Sequence, residues 1–406
     1  MLSVEEALTQ LLADIVPLPV EEAPLLECLD RVLARDAVAD TDLPPFANSA
    51  MDGYAVHAAD TSGATGGDPR RLPVVGEVAA GDPGTTPLTH GTAVRIMTGA
   101  PVPPGADAVI PVEQTHAREG AVDLLAAVET GASIRPAGDD ARAGQRVLAA
   151  GAVLRPGEIG LLASIGAARV PVHRRPRVAI LSTGNELVPV EQVPGPGQIR
   201  NSNASMLAAQ VLRCGALPVE LGAARDSRES VHAALDAGRG CDLYLSSGGV
   251  SVGDYDVVKA VLEERGGIAF WRVNMRPGKP VAFGRIDGIP FLGLPGNPVS
   301  SFVTFELFAR PLLRKLAGHR SLARQVVPVK LDEPVRGAGP RRNYVRALAR
   351  WEADGWHAAT TGAQESHLLR STVAANALIV APEGGGDMAA GAQAMALLLD
   401  WPESDT

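Results

Sequence analysis

Residues 177–186 read Arg-Val-Ala-Ile-Leu-Ser-Thr-Gly-Asn-Glu, and this stretch decides the fold. Its apolar run is short and continuous and ends at a hydroxyl and a glycine, which is typical of a buried parallel strand. Similar runs at 243–245 and 291–294 also end in polar loops that are rich in glycine, and two more strands are predicted at 217–221 and 281–283. Apolar spacing and capping signals predict helices at 203–215, from 226 onward, at 256–264 and at 298–316. This alternation predicts an α/β domain with a mostly parallel sheet and helices on both faces.

The flanking regions have other patterns. Residues 3–16 repeat apolar positions at helical spacing, and Ser3 with Glu6 forms a capping box. Region 41–138 is rich in proline and glycine, with short β-like runs between turns, so a small β-rich domain is predicted there. After residue 321 apolar residues alternate again without a convincing helix, which predicts a C-terminal β domain or barrel.

Composition bounds the size and the class of the protein. The chain has 406 residues, a length that suggests two or three domains. Hydrophobic residues make up 46% and charged residues 20%, which excludes wholesale disorder. The 37 basic and 46 acidic residues give a net charge of −9. A sequence-blind nucleic-acid binder is therefore not expected, because neutralising phosphates requires a surplus of Lys and Arg.

Cysteine usage and the N-terminus indicate a compartment. Cys28, Cys214 and Cys241 lie far apart and lack CxxC spacing, so neither a disulfide framework nor a zinc site is predicted. The first ten residues carry acids where a signal peptide carries bases, and no run of about 18 apolar residues occurs. We therefore expect no membrane span and a cytoplasmic protein.

Three loops follow predicted strands, at 182–186, 246–256 and 294–300, and are called here the first, second and third strand-end loops. Ligands of open α/β sheets bind at the carboxyl ends of the strands. Glycines allow backbone N–H groups to approach an anion, and in the third loop Asn297 can cap a helix that begins at Pro298. Each loop alone could be an ordinary tight turn. Three of them together predict a site for phosphate or another oxyanion.

A second feature is Arg276-Pro-Gly-Lys-Pro280, called here the cationic loop. Its two cations lie three residues apart and are flanked by prolines. The chain has only four lysines, which makes Lys279 more notable. The alternative is that these cations form surface salt bridges. The flanking prolines disfavour it, because surface salt bridges do not require rigidly held charges.

Acidic residues cluster beside the same loops, namely Glu186, Asp226, Asp254 and Asp256. Carboxylates next to phosphate-binding loops are typical Mg²⁺ ligands. Each of two acids has an alternative interpretation: Asp226 as the cap of its helix, and Asp256 as a first-turn acid that complements the helix dipole.

Other polar motifs are less specific. Residues 48–56, Thr98-Gly-Ala-Pro and Gly138-Asp-Asp supply carboxylates and hydroxyls at turns, and turn formation is their default role. Gly-Val-Ser-Val-Gly at 249–253 fits the nucleophile-elbow pattern of hydrolases. Four polar or glycine residues separate Ser251 from its strand, however, and a phosphate-binding loop explains the same glycines. The histidines show no metal-binding spacing, and no Walker A or GxGxxG motif occurs.

Six strings together resemble the molybdopterin molybdenumtransferase family, the MoeA type to which the gephyrin E domain belongs. They are Asn48-Ser-Ala-Met-Asp-Gly-Tyr-Ala55, Arg95-Ile-Met-Thr-Gly-Ala-Pro101, Ser182-Thr-Gly-Asn-Glu-Leu187, Ser246-Ser-Gly-Gly-Val-Ser-Val-Gly253, Pro277-Gly-Lys-Pro280 and Gly293-Leu-Pro-Gly-Asn-Pro-Val-Ser300. The resemblance runs from about residue 3 to residue 385. It implies a multidomain α/β plus β fold with four domains. These are an elongated helical domain (1–40 and 141–175), an inserted β-rich domain (41–140), a molybdopterin-binding α/β domain (176–320) and a C-terminal β barrel (321–406).

The resemblance also implies a reaction. Members insert molybdenum from molybdate into adenylylated molybdopterin and release AMP, with Mg²⁺ or a similar divalent cation. They form homodimers whose active site is shared between subunits. A molybdopterin adenylyltransferase and molybdoenzymes are further partners that this activity allows, whereas nucleic acid and membrane are not expected.

Site residues follow from the matching motifs. Those expected to act in catalysis are Asp52, Thr98, Asp140, Glu186, Asp226, Asp256 and Lys279, of which Glu186, Asp226 and Asp256 are also the expected metal ligands. Those expected to bind substrate are Thr183, Ser247, Gly248, Gly249, Ser251, Gly253, Arg276, Pro295, Gly296, Asn297, Ser300, Arg346 and Ser366. Arg276 stands where members often carry Lys. The charge is kept, but a planar guanidinium replaces a compact ammonium group. Asn185 and Asn201 stand where Asp is frequent, and each removes a charge near the pocket.

Two rival functions remain to be tested. A molybdopterin adenylyltransferase also carries the Ser-Ser-Gly-Gly loop, but it is a single α/β domain. A non-enzymatic scaffold would need long linkers or extra domains. Release of AMP from adenylylated molybdopterin in the presence of molybdate separates all three functions.

Overall fold

The structure is a computed structural model that describes residues 1–225, 227–248, 257–337 and 339–401. The chain forms two compact units. Unit 1 comprises Met1–Glu22, Asp30–Ala34 and Pro171–Thr406, and unit 2 comprises Ala23–Leu29 and Arg35–Val170. The four domain boundaries expected from the sequence stay predictions.

A six-stranded sheet forms the centre of unit 1. In spatial order its strands are Leu217–Ala224, Arg177–Thr183, Leu243–Ser247, Ile289–Leu294, Pro280–Ile286 and Ile268–Arg272. The first four are parallel and Pro280–Ile286 runs antiparallel to both of its neighbours, which confirms the mostly parallel sheet. Asp287 and Gly288 both have positive φ and join two of the strands in a tight hairpin, as an Asp-Gly pair favours. The Ile268–Arg272 strand was not predicted.

Helices cover both faces of this sheet. On one face Leu207, Phe305 and Leu312 pack with Leu292, and on the other face Val231 and its neighbours pack with Phe291. The helices of unit 1 are Val4–Leu12, Ser202–Arg213, Arg228–Ala237, Val257–Arg265, Pro298–Thr304 and Arg310–Leu316, with a 3₁₀ turn at Leu369–Thr372. None of the helices in the described residues is both long enough and apolar enough to span a bilayer.

The N-terminal caps of two helices can be compared with the predictions. The capping box of the first helix is confirmed, because the Ser3 hydroxyl accepts from the Glu6 N–H at 3.0 Å and the Ser3 N–H donates to Glu6 at 2.7 Å. The helix predicted to be capped by Asp226 is capped instead by Ser227, which accepts from the Ser230 N–H. Serine is as good an N-cap as aspartate, so the sequence pattern could not choose between the two neighbours.

The predicted helix at 298–316 is continuous but not uniform. A π-helical turn at Phe305–Ala309 separates two α-helical segments, and the Arg310 N–H donates to the Phe305 carbonyl. Pro311 has no N–H and cannot donate to the carbonyl four residues earlier, which accounts for the altered bonding just before it.

The C-terminal part of unit 1 is a closed five-stranded barrel, as expected from the sequence. The Arg342–Glu352 strand begins and closes the circle, because it pairs with Gly355–Thr360 on one side and with Ala377–Ala381 on the other. Val326–Leu331 and Gln393–Leu398 complete the barrel. The short strand Met275–Arg276 pairs with the start of Arg342–Glu352 and so ties the cationic loop to the barrel. Leu187–Val188 and Ile199–Arg200 form a separate parallel pair.

Unit 2 contains the predicted β-rich region. Its main sheet has the strand order Ala108–Pro111, Gly53–Val56, Ala93–Ile96, Arg70–Val78, Ala121–Leu124 and Thr115–Arg118. Its core contains many small and β-branched side chains, including Val56, Ile110 and Val122. The remaining strands and helices are Val20–Pro24, Ala37–Val38, Asn48–Ser49, Ile134–Arg135, Arg146–Leu148 and Arg169–His173, the helix Pro156–Ser164, and 3₁₀ turns at Leu25–Cys28, Ala58–Thr61 and Val112–Gln114. None of the three cysteines, all of which lie in the described ranges, forms a disulfide bond.

Candidate functional site

The three strand-end loops leave neighbouring strands of the sheet at the same edge. Ser182 pairs with Ser247, and Ser247 pairs with Leu294, so the strands end side by side. The Gly248 N–H then donates to the Leu294 carbonyl at 3.1 Å and links the second loop to the third. The edge of the sheet therefore carries the loops together, as ligand sites of open α/β sheets require.

The loops approach each other closely at two glycines, of which Gly248 leaves little room for a side chain. Gly248 has a φ of +92°, and a Cβ placed there would lie 3.0 Å from Thr183 Oγ1 and 3.1 Å from the Thr183 carbonyl. A Cβ on Gly296 would lie 3.7 Å from the Gly248 Cα. Thr183 and Ser247 carry hydroxyls at the same strand ends and are largely buried. Backbone and hydroxyl groups thus meet at this edge, which suits an oxyanion better than an apolar ligand.

Two asparagines in the helix after the first loop contact the same edge. Asn201 caps the helix by accepting from the Ala204 N–H at 3.2 Å, and the Ser182 hydroxyl lies 3.1 Å from the same Oδ1. The Asn203 amide donates to Ser247 Oγ and to the Gly296 carbonyl, each at 2.7 Å. Sequence reasoning missed Asn203. Its position, in the first turn of the helix that follows a site strand, was the available signal.

Glu186 is exposed at the end of the first loop. Gly184 has a φ of +147°, and the Glu186 carboxylate occupies the space that a side chain at position 184 would need. Within the described ranges this carboxylate has no ion pair or hydrogen-bond donor, which leaves its oxygens available to a cation. The predicted companions Asp226, Asp254 and Asp256 lie outside the described residues, as do the predicted substrate-binding residues Gly249, Ser251 and Gly253.

The cationic loop is seated on the helix that begins at Pro298. A Cβ on Gly278, whose φ is +95°, would overlap the Thr304 side chain and lie 3.6 Å from the Ser300 carbonyl. The Val273 N–H donates to the Lys279 carbonyl at 2.9 Å. Arg276 is exposed and Lys279 is half-buried. No carboxylate of the described part of the chain lies within 4.0 Å of either cation, so the alternative of a surface salt-bridge pair has no support there.

Replacing Gly278 by alanine is expected to lower the free energy of unfolding by about 2 to 4 kcal/mol, because the variant combines a positive φ with an overlap in a packed contact. The Gly160→Ala variant is the control. Gly160 is helical and has open space around its Cα, so alanine there should stabilise by about 0.5 to 1 kcal/mol. Urea unfolding measures both effects, and a Gly278→Ala protein as stable as the original would show that this loop is not seated as described.

Arg346 lies in a barrel strand, and Ser366 lies in a later segment that contacts the start of the Pro298 helix. Arg346 is only 1% exposed and donates to Ser371 Oγ at 3.1 Å and to the carbonyls of Ala363 and Glu365 at 3.4 Å. The Val299 N–H donates to the Ser366 carbonyl at 3.1 Å. Arg346 therefore holds the segment that brings Ser366 to the start of the Pro298 helix.

The charges of Arg346 and Arg276 affect each other. Burial lowers the pKa of the Arg346 guanidinium to about 10, with Glu365 acting in the opposite direction and the charge of Arg276 lowering it further. The influence of Arg276 means that two cations repel each other here, and an anion between them would relieve that repulsion.

The start of the Pro298 helix differs in one detail from the prediction. Asn297 occupies the N-cap position and Pro298 the first helical position, as predicted, but the Asn297 side chain makes no capping hydrogen bond. Ser300 and Pro295 are buried, whereas Gly296 and Asn297 are exposed. Within the described residues, the exposed amide of Asn297 thus does not cap the helix.

Unit 2 carries the other predicted residues. The backbone N–H and the hydroxyl of Thr98 both donate to Asp52 Oδ1 at 2.7 Å. These bonds hold the pKa of the Asp52 carboxyl below its usual value, and the backbone bond has the larger effect. The charge of Arg95 lowers this pKa slightly further. Asp140 is exposed, and its N–H donates to the Leu43 carbonyl at 2.9 Å. Contacts of the described residues join Asp52 to Thr98 but do not join Asp140 to that pair.

The fold and the site define a class: a multidomain α/β protein whose polar strand-end loops meet at the carboxyl edge of its sheet, with a C-terminal barrel. Three family models match the chain in succession. They are the MoeA N-terminal region (domains I and II) at residues 2–166, a probable molybdopterin-binding domain at 179–315 and the MoeA C-terminal region (domain IV) at 328–399. The chain belongs to the MoeA family.

Named relatives agree along almost the whole length. Molybdopterin molybdenumtransferase 2 of Mycobacterium tuberculosis is 43% identical over 384 residues, which cover 91% of this chain and 93% of the relative. The molybdopterin molybdenumtransferase of Bacillus subtilis is 36% identical, with 96% and 97% covered. The crystal structure of the molybdopterin biosynthesis MoeA protein of Pyrococcus horikoshii superimposes with a TM-score of 0.83 at 30% identity, covering 98% of this chain and all of that one.

Proposed function

We propose that this protein is a molybdopterin molybdenumtransferase that inserts molybdenum from molybdate into adenylylated molybdopterin and releases AMP. The observation that carries the proposal is the meeting of the second and third strand-end loops at Gly248 and Gly296, beside the start of the Pro298 helix. Backbone N–H groups and a helix N-terminus favour bound phosphate. The substrate supplies a diphosphate and molybdate supplies a second oxyanion, which matches a site with several anion-binding elements.

The residues have distinct tasks in this proposal. Thr183, Ser247 and the two glycines hold the phosphates. Arg276 and Lys279 bind the oxyanions and reduce their mutual repulsion, which lowers the cost of bringing two anions together. Ser300 and Ser366 complete the anion-binding site, and the buried Arg346 holds the segment that carries Ser366 and adds positive charge behind it.

The acidic group would hold the divalent cation. Mg²⁺ usually takes one or two carboxylates and keeps several waters, and the exposed Glu186 carboxylate fits this need. Asp226 and Asp256 are the further ligands implied by the family motifs. When bound, the cation neutralises charge on the diphosphate that is cleaved.

The active site is proposed to be shared in a homodimer. Asp52, Thr98 and Asp140 belong to unit 2, and Glu186, Arg276 and Lys279 belong to unit 1. The family motifs assign both sets to one reaction. In a two-fold dimer the same contact occurs twice, so two equivalent sites form. Each site combines the unit 2 residues of one subunit with the unit 1 residues of the other.

Purified protein tests the proposal against its rivals. Adenylylated molybdopterin with molybdate should yield AMP and active cofactor, as measured by nucleotide chromatography and by reconstitution of an apo-molybdoenzyme. Molybdopterin with ATP should yield no adenylylated product. Adenylylation of molybdopterin, or no reaction in either assay, would replace the proposal by the adenylyltransferase or by a binding protein.

Replacing Glu186 by glutamine keeps the shape and removes the charge. We expect adenylylated molybdopterin to remain bound while turnover falls about a hundredfold at limiting Mg²⁺, because a carboxylate metal ligand is lost. The control is Glu191→Gln, an exposed acid five residues later in the chain. Turnover of Glu186→Gln that equals that of the control, at every Mg²⁺ concentration, would show that Glu186 is only a turn residue.

A further inference from the structure

Asn203 connects two of the strand-end loops through one nitrogen. Its Nδ2 carries two hydrogens, and both are used, one toward Ser247 Oγ and one toward the Gly296 carbonyl, each at 2.7 Å. Ser247 belongs to the second loop and Gly296 to the third. The side chain therefore spans the gap across which the proposed phosphate surface is built.

Chemistry fixes the orientation of this amide. The Gly296 carbonyl can only accept a hydrogen bond, so the nitrogen of Asn203 and not its oxygen must face it. A carboxylate of the same size would place two acceptors against each other. Position 203 therefore needs an amide, whereas Asn201 acts through its oxygen alone.

The anchor of this side chain is rigid. Asn203 lies in the first turn of Ser202–Arg213, and that helix is fixed in the core through Leu207 and Val211, which are fully buried. The backbone also connects these two loops, because Ser247 pairs with Leu294 and the Gly248 N–H donates to the Leu294 carbonyl. The Asn203 pair adds a side-chain connection that reaches Gly296, which none of these backbone bonds does.

We infer that Asn203 is a positioning residue, which sets the spacing of the second and third loops so that their backbone groups bind the anionic substrate. The inference rests on the proposed function. Asn203 itself need not touch the substrate. Its loss should weaken binding in the ground state and the transition state alike, so KM should rise while kcat changes little.

The test compares two alanine variants that each lose two hydrogen bonds. Asn376 is also half-buried, accepts from the Ala349 N–H at 2.7 Å and donates to the Ala349 carbonyl at 2.8 Å, and it lies in the barrel. We expect Asn203→Ala and Asn376→Ala to shift the unfolding midpoint by similar amounts. Only Asn203→Ala should raise the KM for adenylylated molybdopterin, by at least tenfold, with kcat within about threefold of the original.

A third variant tests the donor requirement. Asn203→Asp keeps the size and loses the N–H groups, so it should not restore the KM. The defect should persist in about 0.5 M salt, where repulsion by the added charge is largely screened. A KM for Asn203→Ala within twofold of that of Asn376→Ala would overturn the inference. So would a normal KM for Asn203→Asp. Failure of the unmodified protein to release AMP would instead overturn the proposed function, so the two failures are distinguishable.

Discussion

A Lys279→Ala protein is expected to lose molybdenum insertion almost completely while it remains folded. Lys279 is half-buried, and its cationic loop is fixed by the contact of Gly278 with Thr304. Removing one preorganised donor at a developing charge lowers turnover by about a hundredfold to a thousandfold. The folded state should lose at most about 1 kcal/mol, because within the described residues the ammonium has no ion pair to lose.

Lys330→Ala is the matched control. Lys330 pairs with Asp354 on the barrel at 3.1 Å and has no part in the proposed site. Turnover should be unchanged in this variant, with a similarly small effect on unfolding. If Lys279→Ala also turned over at a near-normal rate, the proposed oxyanion contact of Lys279 would be refuted.

The second large effect concerns mixed dimers. Asp52→Ala and Lys279→Ala proteins are each expected to be inactive, but a mixture that exchanges subunits should regain activity. If each site takes Asp52 from one subunit and Lys279 from the other, one site of the mixed dimer carries both lesions and the other carries none. Turnover should then reach about half of the original per heterodimer, provided that the sites act independently.

Subunit exchange must be measured separately, for example with two affinity tags or by native mass spectrometry. A mixture of two Lys279→Ala preparations with different tags is the control and should stay inactive. Demonstrated exchange without recovered activity would mean that each chain builds its own complete site.

Local sequence signals located much of the fold and of the site. The apolar run at 178–181 predicts the central strand, because a strand covered on both faces needs continuous apolar residues. The capping box of Ser3 and Glu6 is found where predicted. The three strand-end loops could be placed together because parallel strands end at one edge of a sheet, whatever the distance along the chain between them.

Other features depend on contacts that no local pattern records. Ser366 contacts the start of the Pro298 helix in a segment that the buried Arg346 holds, and nothing in the residues around either one indicates this contact. The role of Asn203 depends on the position of Gly296, which is distant in sequence. The helix cap at Ser227 rather than Asp226 reflects a choice between equivalent neighbours that only the backbone decides.

A single-turnover reaction tests the central claim most directly. The purified protein is loaded with one equivalent of adenylylated molybdopterin in the presence of Mg²⁺, and AMP and molybdenum-containing cofactor are quantified in parallel, with and without molybdate. We predict that molybdate triggers the release of AMP and that cofactor and AMP appear in equal amounts and at equal rates. Release of AMP without cofactor, or at a rate that molybdate does not change, would contradict the assignment of this site to molybdenum insertion.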